Sequence, residues 1–280
     1  MRLLDWKIMT HNNSFKKQIR ARMKVTGETY AQAREALYKR TFPLDFLLSS
    51  GLSLPVNKSN AHVVVEDIFS GQELNDIRTS ISQRHHILVC GGAYTGKTFT
   101  LNAILNSNSV INPTHRVITI EENMKELIVG NYSFSLVFQP KEYAISDLLT
   151  SSLRMRPDTI AVGEIRCDEM WMMDRLGSVG TTSFTTCHSR SISQLAGYMG
   201  ANNFPQLTTI VMVDRFKVGE HNLFLKAVIP LTDEVREALE TYRHGHDEDL
   251  LNATLDSLGV VTIDAKRREL AKRGIRQQPL

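Results

Sequence analysis

From Ala61 onward, short apolar runs alternate with stretches in which apolar residues return every three or four positions. Val63-Val64-Val65, Ile87-Leu88-Val89-Cys90, Arg116–Ile120, Phe134–Phe138, Thr159–Val162 and Ser183–Cys187 have the length and β-branched content of strands. Helical periodicity marks Gly71–Arg84, Phe99–Asn106, Ser146–Arg154, Asp168–Leu176 and Ser191–Met199. Thr208–Val213 and Asn222–Ile229 form a strand pair around Lys217–Glu220, and the tail from Asp233 reads as all-helical. Strands alternating with helices predict an α/β fold, with a mainly parallel sheet covered on both faces.

The first sixty residues follow another pattern. Phe15, Ile19 and Met23, then Tyr30, Ala33 and Leu37, recur at helical spacing with a break at Thr26-Gly27, which predicts two short amphipathic helices. Pro43 and the Ser/Gly/Pro/Asn-rich stretch Ser49–Asn60 read as a linker. The expected division is a basic helical arm and linker over 1–60, an α/β core over 61–230 and a helical region over 231–280.

Charge sharpens the contrast. The whole chain of 280 residues carries a net +3, yet residues 1–40 carry +7 and the remainder −4. Such an arm suits an anionic surface, lipid headgroups or nucleic acid, or is simply a solvated helical face. It has only Phe15, Tyr30 and Tyr38 for base stacking, which argues against nucleic acid. Phe42–Val56 is too short and interrupted to span a bilayer, and Met1–Thr10 lacks the order of a secretory signal. Cys90, Cys167 and Cys187 show no metal spacing and predict no disulfide framework, so a reducing cytosol is expected.

The chemistry concentrates in a few segments. Gly91-Gly92-Ala93-Tyr94-Thr95-Gly96-Lys97-Thr98 fits G-x-x-x-x-G-K-[ST], after an apolar strand and before a helix opening at Phe99. In that context backbone N–H groups cradle phosphates, Lys97 supplies a point charge and the Thr98 hydroxyl holds Mg²⁺. ATP with Mg²⁺ is the expected ligand. Thr159–Glu164 is a strand ending in an acid able to reach that metal. Thr119–Glu126 ends in a cluster of acids, one of which can orient water toward the γ-phosphate. Arg154, Arg156 and Arg166 suit the charge of a transferring phosphoryl group, and His188 ends a strand expected beside the one bearing Glu164.

These segments together resemble the type II/type IV secretion ATPases, the traffic ATPases of secretion, conjugation and type IV pili. Leu153–Arg166 is similar to the family's signature around its Walker B acid, Arg116–Glu126 to its aspartate box and Gly180–His188 to its histidine box. The resemblance runs from about Ile68 to Gly274 and leaves the branch open, since Arg154–Asp158 leans to conjugation and Thr232–Arg236 to pilus retraction. It implies a RecA-like core, phosphate binding by Gly91–Phe99, and Mg²⁺ at Thr98 and Glu164. It further implies Glu126 as the nearest match to the catalytic glutamate and His188 as reader of the γ-phosphate; Arg156 and Arg166 join them as catalytic candidates on their charge alone.

The chain departs from the family at Tyr94 (usually glycine), at Glu122 (usually aspartate), at Thr181 (usually histidine) and in the absence of a large domain before the core. The function implied is a cytoplasmic, hexameric ATPase at the inner membrane, working with the membrane components of a secretion, conjugation or pilus machine. The basic arm would add peripheral membrane contact. The competing readings are a DNA-translocating motor and a weakly hydrolysing assembly or regulatory subunit.

Overall fold

The computed structural model describes residues 13–33, 52–130, 133–139, 143–166, 169–199, 205–218, 221–275 and 278–279. The chain forms two compact units, and the division does not follow the linear order expected. One unit comprises Val56–Asp214 with Lys226–Ile263, and the other Met1–Pro55, Arg215–Leu225 and Asp264–Leu280. Most of the helical tail therefore belongs with the unit that carries Gly91–Thr98.

In the larger unit, β1 (His86–Gly91) is buried along its whole length. It pairs in parallel with β5 (Thr182–His188) on one side and β6 (Leu207–Val218) on the other. Further out, β4 (Thr159–Val162) pairs with β5, β2 (Val117–Glu122) with β4, and β3 (Ser133–Phe138) with β2, all in parallel. The order is β3-β2-β4-β5-β1-β6-β7, where β7 is His221–Pro230. A central parallel strand is covered on both faces, so β1 reads as a continuous apolar run without alternation.

Three helices lead into and out of β1: α2 (Val65–Ile68), α3 (Gly71–Ser82) and α4 (Lys97–Ile111). Ile77 and Ile81 of α3 and Leu101, Ile104 and Leu105 of α4 pack with Ile87, Val89, Phe184 and Val211 of the sheet. Each such side chain contributes about 1.5–3 kcal/mol by leaving water. After β3 come α5 (Ile145–Leu153), α6 (Trp171–Ser178) and α7 (Ile192–Met199), and after β7 come α8 (Asp233–Gly245) and α9 (Glu248–Ser257). Thr232 accepts a hydrogen bond from the Val235 N–H and Asp247 one from the Leu250 N–H, so both late helices start on side-chain caps.

No strand forms at Val63–Val65: Val63 and Val64 lie outside regular structure, Val64 as an extended N-cap, and a helical turn opens at Val65. Asp67 Oδ2 accepts from the Val64 N–H at 3.0 Å, and that local bond outweighs the strand preference of three valines. In the smaller unit, α1 (Asn13–Thr26) buries Ile19, exposes Lys17, Arg20 and Lys24, and stops before Gly27 at φ +71°. Arg22 grips Glu28 with two bonds of 2.7 and 2.9 Å across that stop. A new helical turn begins at Tyr30; Leu37 and the rest of the second expected helix lie outside the described residues, as do Met1–Thr10, Cys167, Asp168 and Gly219-Glu220. The unit also holds α10, from Ile263 to Lys272, apart from its first residue, and a short β8 (Gln278–Pro279) antiparallel to Phe216-Lys217. That strand corrects the expectation of an all-helical tail. Among the described residues no helix is long and apolar enough to cross a membrane.

Candidate functional site

The carboxyl ends of β2, β3, β4 and β5 and the start of α4 open on one cleft of about 830 Å³. This is where an open parallel sheet places its ligands, because loops and helix amino termini converge there. Lys97, Thr98, Glu121, Glu122, Glu126, Glu164, Arg166 and His188 all line it.

The loop Gly91–Thr98 is held by its own atoms. Thr95 Oγ1 donates to the Gly92 carbonyl at 2.9 Å, and Lys97 Nζ donates to the same oxygen at 2.9 Å. At Gly91 an added Cβ would overlap Thr95 Oγ1 and the Val213 carbonyl oxygen, so only glycine fits. Gly96, at φ +94°, caps α4, whose first turn carries no acid. The positive end of the helix macrodipole therefore meets no competing carboxylate of its own. Tyr94 adopts φ +59° and exposes 89% of its surface. Left-handed geometry of this kind favours glycine over a residue with a side chain. Ala93 is exposed, while the Phe99 ring packs on the apolar cluster and leaves only its main chain toward the loop.

Glu164 sits just past β4 on a segment fixed from two sides. The Gly163 N–H donates to the Ile120 carbonyl at 2.9 Å, Thr186 Oγ1 to the Gly163 carbonyl at 2.7 Å, and the Ile165 N–H to the Thr186 carbonyl at 2.9 Å. Glu164 Oε1 meets His188 Nε2 at 2.8 Å, and His188 Nδ1 faces Lys97 Nζ at 3.4 Å. An ammonium only donates, so Nδ1 accepts and the ring proton lies on Nε2, toward Glu164. Burial pulls the Lys97 ammonium below its ordinary pKa, and Glu164 opposes that shift.

Glu126 is exposed and lines the cleft, and its main chain also reaches Glu121. The N–H groups of Glu126 and Leu127 donate to Glu121 Oε2 at 2.6 and 2.8 Å. Glu121 is buried, and its other oxygen, Oε1, has no hydrogen-bond partner. Burial pushes the Glu121 carboxyl above the ordinary carboxylate range, against the pull of those two N–H groups. Room for it comes from Gly163, whose Cβ would stand 3.3 Å from Glu121 Cγ.

The arginines separate. Arg166 lines the cleft, with Nη2 at 3.9 Å from Glu122 Oε2 and its N–H donating to Glu169 Oε2 at 2.8 Å. Arg156, at φ +52°, lies in the turn before β4, at the amino end of the strand whose carboxyl end leads to Glu164. It does not join the cleft. Thr181 is likewise at the amino end of β5. Cys90 and Cys187 are register partners on β1 and β5, with sulfurs 3.3 Å apart, a proximity their sequence spacing does not announce.

Residues 55–204 match the family described as type II/IV secretion system protein. Protein VirB11 of Agrobacterium fabrum is 31% identical over 130 residues, which cover 45% of this chain and 35% of that protein. The conjugal transfer protein TrbB of Rhizobium radiobacter is 28% identical over 129 residues, covering 46% and 40%. These matches thus span well under half the length of either relative. Among solved structures, the pilus retraction motor PilT with bound ADP superposes with a TM-score of 0.53 at 20% identity, covering 80% of this chain and 66% of that one. The DotB ATPase of Yersinia pseudotuberculosis gives 0.52 at 16% identity, covering 75% and 63%. At such identities the structural likeness speaks for the fold.

Proposed function

Because the chain belongs to the type II/IV secretion system protein family, the match covering more than half of it, we propose that it is a Mg-ATP-hydrolysing motor of a secretion, conjugation or pilus machine. The observation that carries this reading is the convergence of Lys97, Thr98, Glu121, Glu164 and His188 on one cleft.

Each group has work suited to its chemistry. The N–H groups of the Gly91–Thr98 loop and the start of α4 cradle the phosphates, and Lys97 exchanges its bond to the Gly92 carbonyl for phosphate oxygens. The Thr98 hydroxyl and Glu164 carboxylate are hard oxygen donors suited to Mg²⁺, which when bound neutralises phosphate charge. Glu121, with one oxygen pinned and the other directed to no protein donor, orients the attacking water and takes its proton. We assign this role to Glu121 ahead of Glu126, which also lines the cleft, because Glu121 is the carboxylate that main-chain N–H groups fix. His188, bridging Lys97 and Glu164, exchanges partners as the γ-phosphate comes and goes.

The working form we propose is a ring, as a hexamer, at the cytoplasmic face of the inner membrane. Arg166 then acts at its own cleft, and Arg156 acts on a neighbouring subunit's nucleotide. The exposed Lys17, Arg20 and Lys24 face of α1 suits anionic headgroups or a partner at that membrane. One observation favours a second reading, a nucleotide-binding subunit that turns over slowly: Tyr94 holds a left-handed position in the phosphate loop.

The deciding experiment is phosphate release from Mg-ATP by the purified chain, beside Lys97→Ala and Glu164→Gln. Release that both substitutions abolish supports the motor. Tight ATP binding with no release by the wild-type chain overturns it in favour of the second reading.

A further inference from the structure

Asn102 lies one turn after Thr98 on α4 and is fully buried. Its carboxamide is spent on three main-chain groups. Nδ2 donates to the Thr98 carbonyl at 3.0 Å and to the Glu126 carbonyl at 3.1 Å. Oδ1 accepts from the Ile128 N–H at 2.8 Å. The partners settle which way the amide faces, since two carbonyls require the nitrogen and an N–H requires the oxygen.

The placement of these bonds matters more than their number. Thr98 offers the phosphate loop's hydroxyl, and the Glu126–Ile128 segment offers the N–H groups that hold Glu121. Glu126 is thus held at both ends of its main chain, by Glu121 at its N–H and by Asn102 at its carbonyl. Leu127, buried between, has no route to move without breaking one of these bonds.

We propose that Asn102 is a positioning residue that ties the α4 turn bearing Thr98 to the Glu126–Ile128 segment, and so sets where the Glu121 carboxylate points. This rests on the reading that Glu121 orients the attacking water. The residue type is specific to the task. Leucine has similar volume but offers neither donor nor acceptor. Aspartate keeps the acceptor and loses the donors. Glutamine places the same amide one methylene too far along. A carboxylate mis-set by about 1 Å loses on the order of a hundredfold in rate without weakening the grip on phosphates.

The test compares wild type, Asn102→Leu, Glu121→Gln and the double variant, each with its melting temperature and its nucleotide affinity by calorimetry. Asn102→Leu is expected to leave the affinity for Mg-ATP within about threefold while lowering kcat ten- to a hundredfold, at near-constant KM. In the Glu121→Gln background the same change should cost almost nothing further in kcat, because its effect runs through Glu121. Amide exchange at Glu126–Ile128 should quicken in Asn102→Leu by tenfold or more.

Equal kcat losses in both backgrounds overturn the proposal, as does an unaltered kcat with a lowered melting temperature. Should Asn102→Leu fail to fold, Asn102→Ser, which is smaller and polar, carries the same comparison. A wild-type chain that releases no phosphate refutes the ATPase reading itself, whereas additive losses in an active enzyme refute Asn102's role alone.

Discussion

His188 places Nε2 at 2.8 Å from Oε1 of Glu164 while its other nitrogen faces Lys97. The imidazole thus stands between the lysine that would grip phosphate and the acid that would hold Mg²⁺. His188→Ala removes the bridge without removing either binding group. ATP affinity by calorimetry should change by no more than about threefold, and turnover should fall roughly ten- to a hundredfold. A loss of affinity equal to the loss of turnover would make His188 a simple binding residue.

Glu121 and Glu126 make opposite predictions. Glu121→Gln should cost about 10²–10⁴ in turnover with binding retained, whereas Glu126→Gln should stay within about twofold. Stability adds a check with a definite sign. A carboxyl whose folded-state pKa is raised opposes folding at any pH where it is ionised, so the neutral amide should raise the melting temperature at pH 8. A drop in melting temperature together with full activity would remove Glu121 from the site.

His86 carries the clearest pH effect. Its Nδ1 accepts from the Ser183 N–H at 3.2 Å, and burial pushes its pKa down to about 4. The unfolded chain takes up a proton near pH 6.5 and the folded one only near 4. Stability contributed by the neutral ring is therefore whole above pH 6.5, erodes as pH falls through that interval, and is gone below it. The span corresponds to about 3 kcal/mol. Denaturant unfolding from pH 7.5 to 4.5 should show this slope, and His86→Gln should flatten it.

The phosphate loop supplies a contrast between its glycines and its tyrosine. Gly91→Ala should destabilise by more than about 2 kcal/mol and abolish nucleotide binding, since the methyl group meets the Val213 backbone. Tyr94→Gly relieves about 1–2 kcal/mol of left-handed strain but adds about 0.4–1 kcal/mol of unfolded-chain entropy. Its net effect on stability should stay within about 1 kcal/mol, measured by denaturant titration. Higher turnover in Tyr94→Gly would identify the tyrosine as the brake behind the second reading.

Arg156→Ala should leave nucleotide binding by the isolated subunit unchanged, because the turn before β4 is remote from the cleft. In the proposed ring its loss should lower turnover about tenfold or more. Sedimentation with Mg-ATP beside rates at two protein concentrations checks this, and an equal loss in the monomer would mean that Arg156 reaches its own nucleotide.

Much of this arrangement is legible in the chain because parallel strands are nearly continuous apolar runs and the phosphate loop has fixed chemistry. Thr159–Val162 matches its expected bounds, and Gly91–Thr98 falls between a strand and a helix as the motif requires. Val63–Val65 misleads because a single carboxylate, Asp67, captures the Val64 N–H and bends the run into a turn. Glu121 is hidden for a different reason. Residues 117–121 of β2 are all buried, so alternation does not say which of two adjacent glutamates points inward. Register carries that signal: Ile120 pairs with Val162, which puts Glu121 beside Gly163, where an added Cβ would press on the Glu121 side chain. Asn102 is invisible to periodicity, since a buried amide in a helix looks like any polar interruption until its partners are known.

The strands keep the cleft-lining groups at their carboxyl ends and the acid-sensitive His86, with Arg84 and Asp158, at their amino ends. An engineer can therefore tune durability and turnover on separate dials. Replacements around His86 should extend shelf life in mildly acidic buffers at no expense in rate, and any gain there should add to the protection conferred by bound nucleotide.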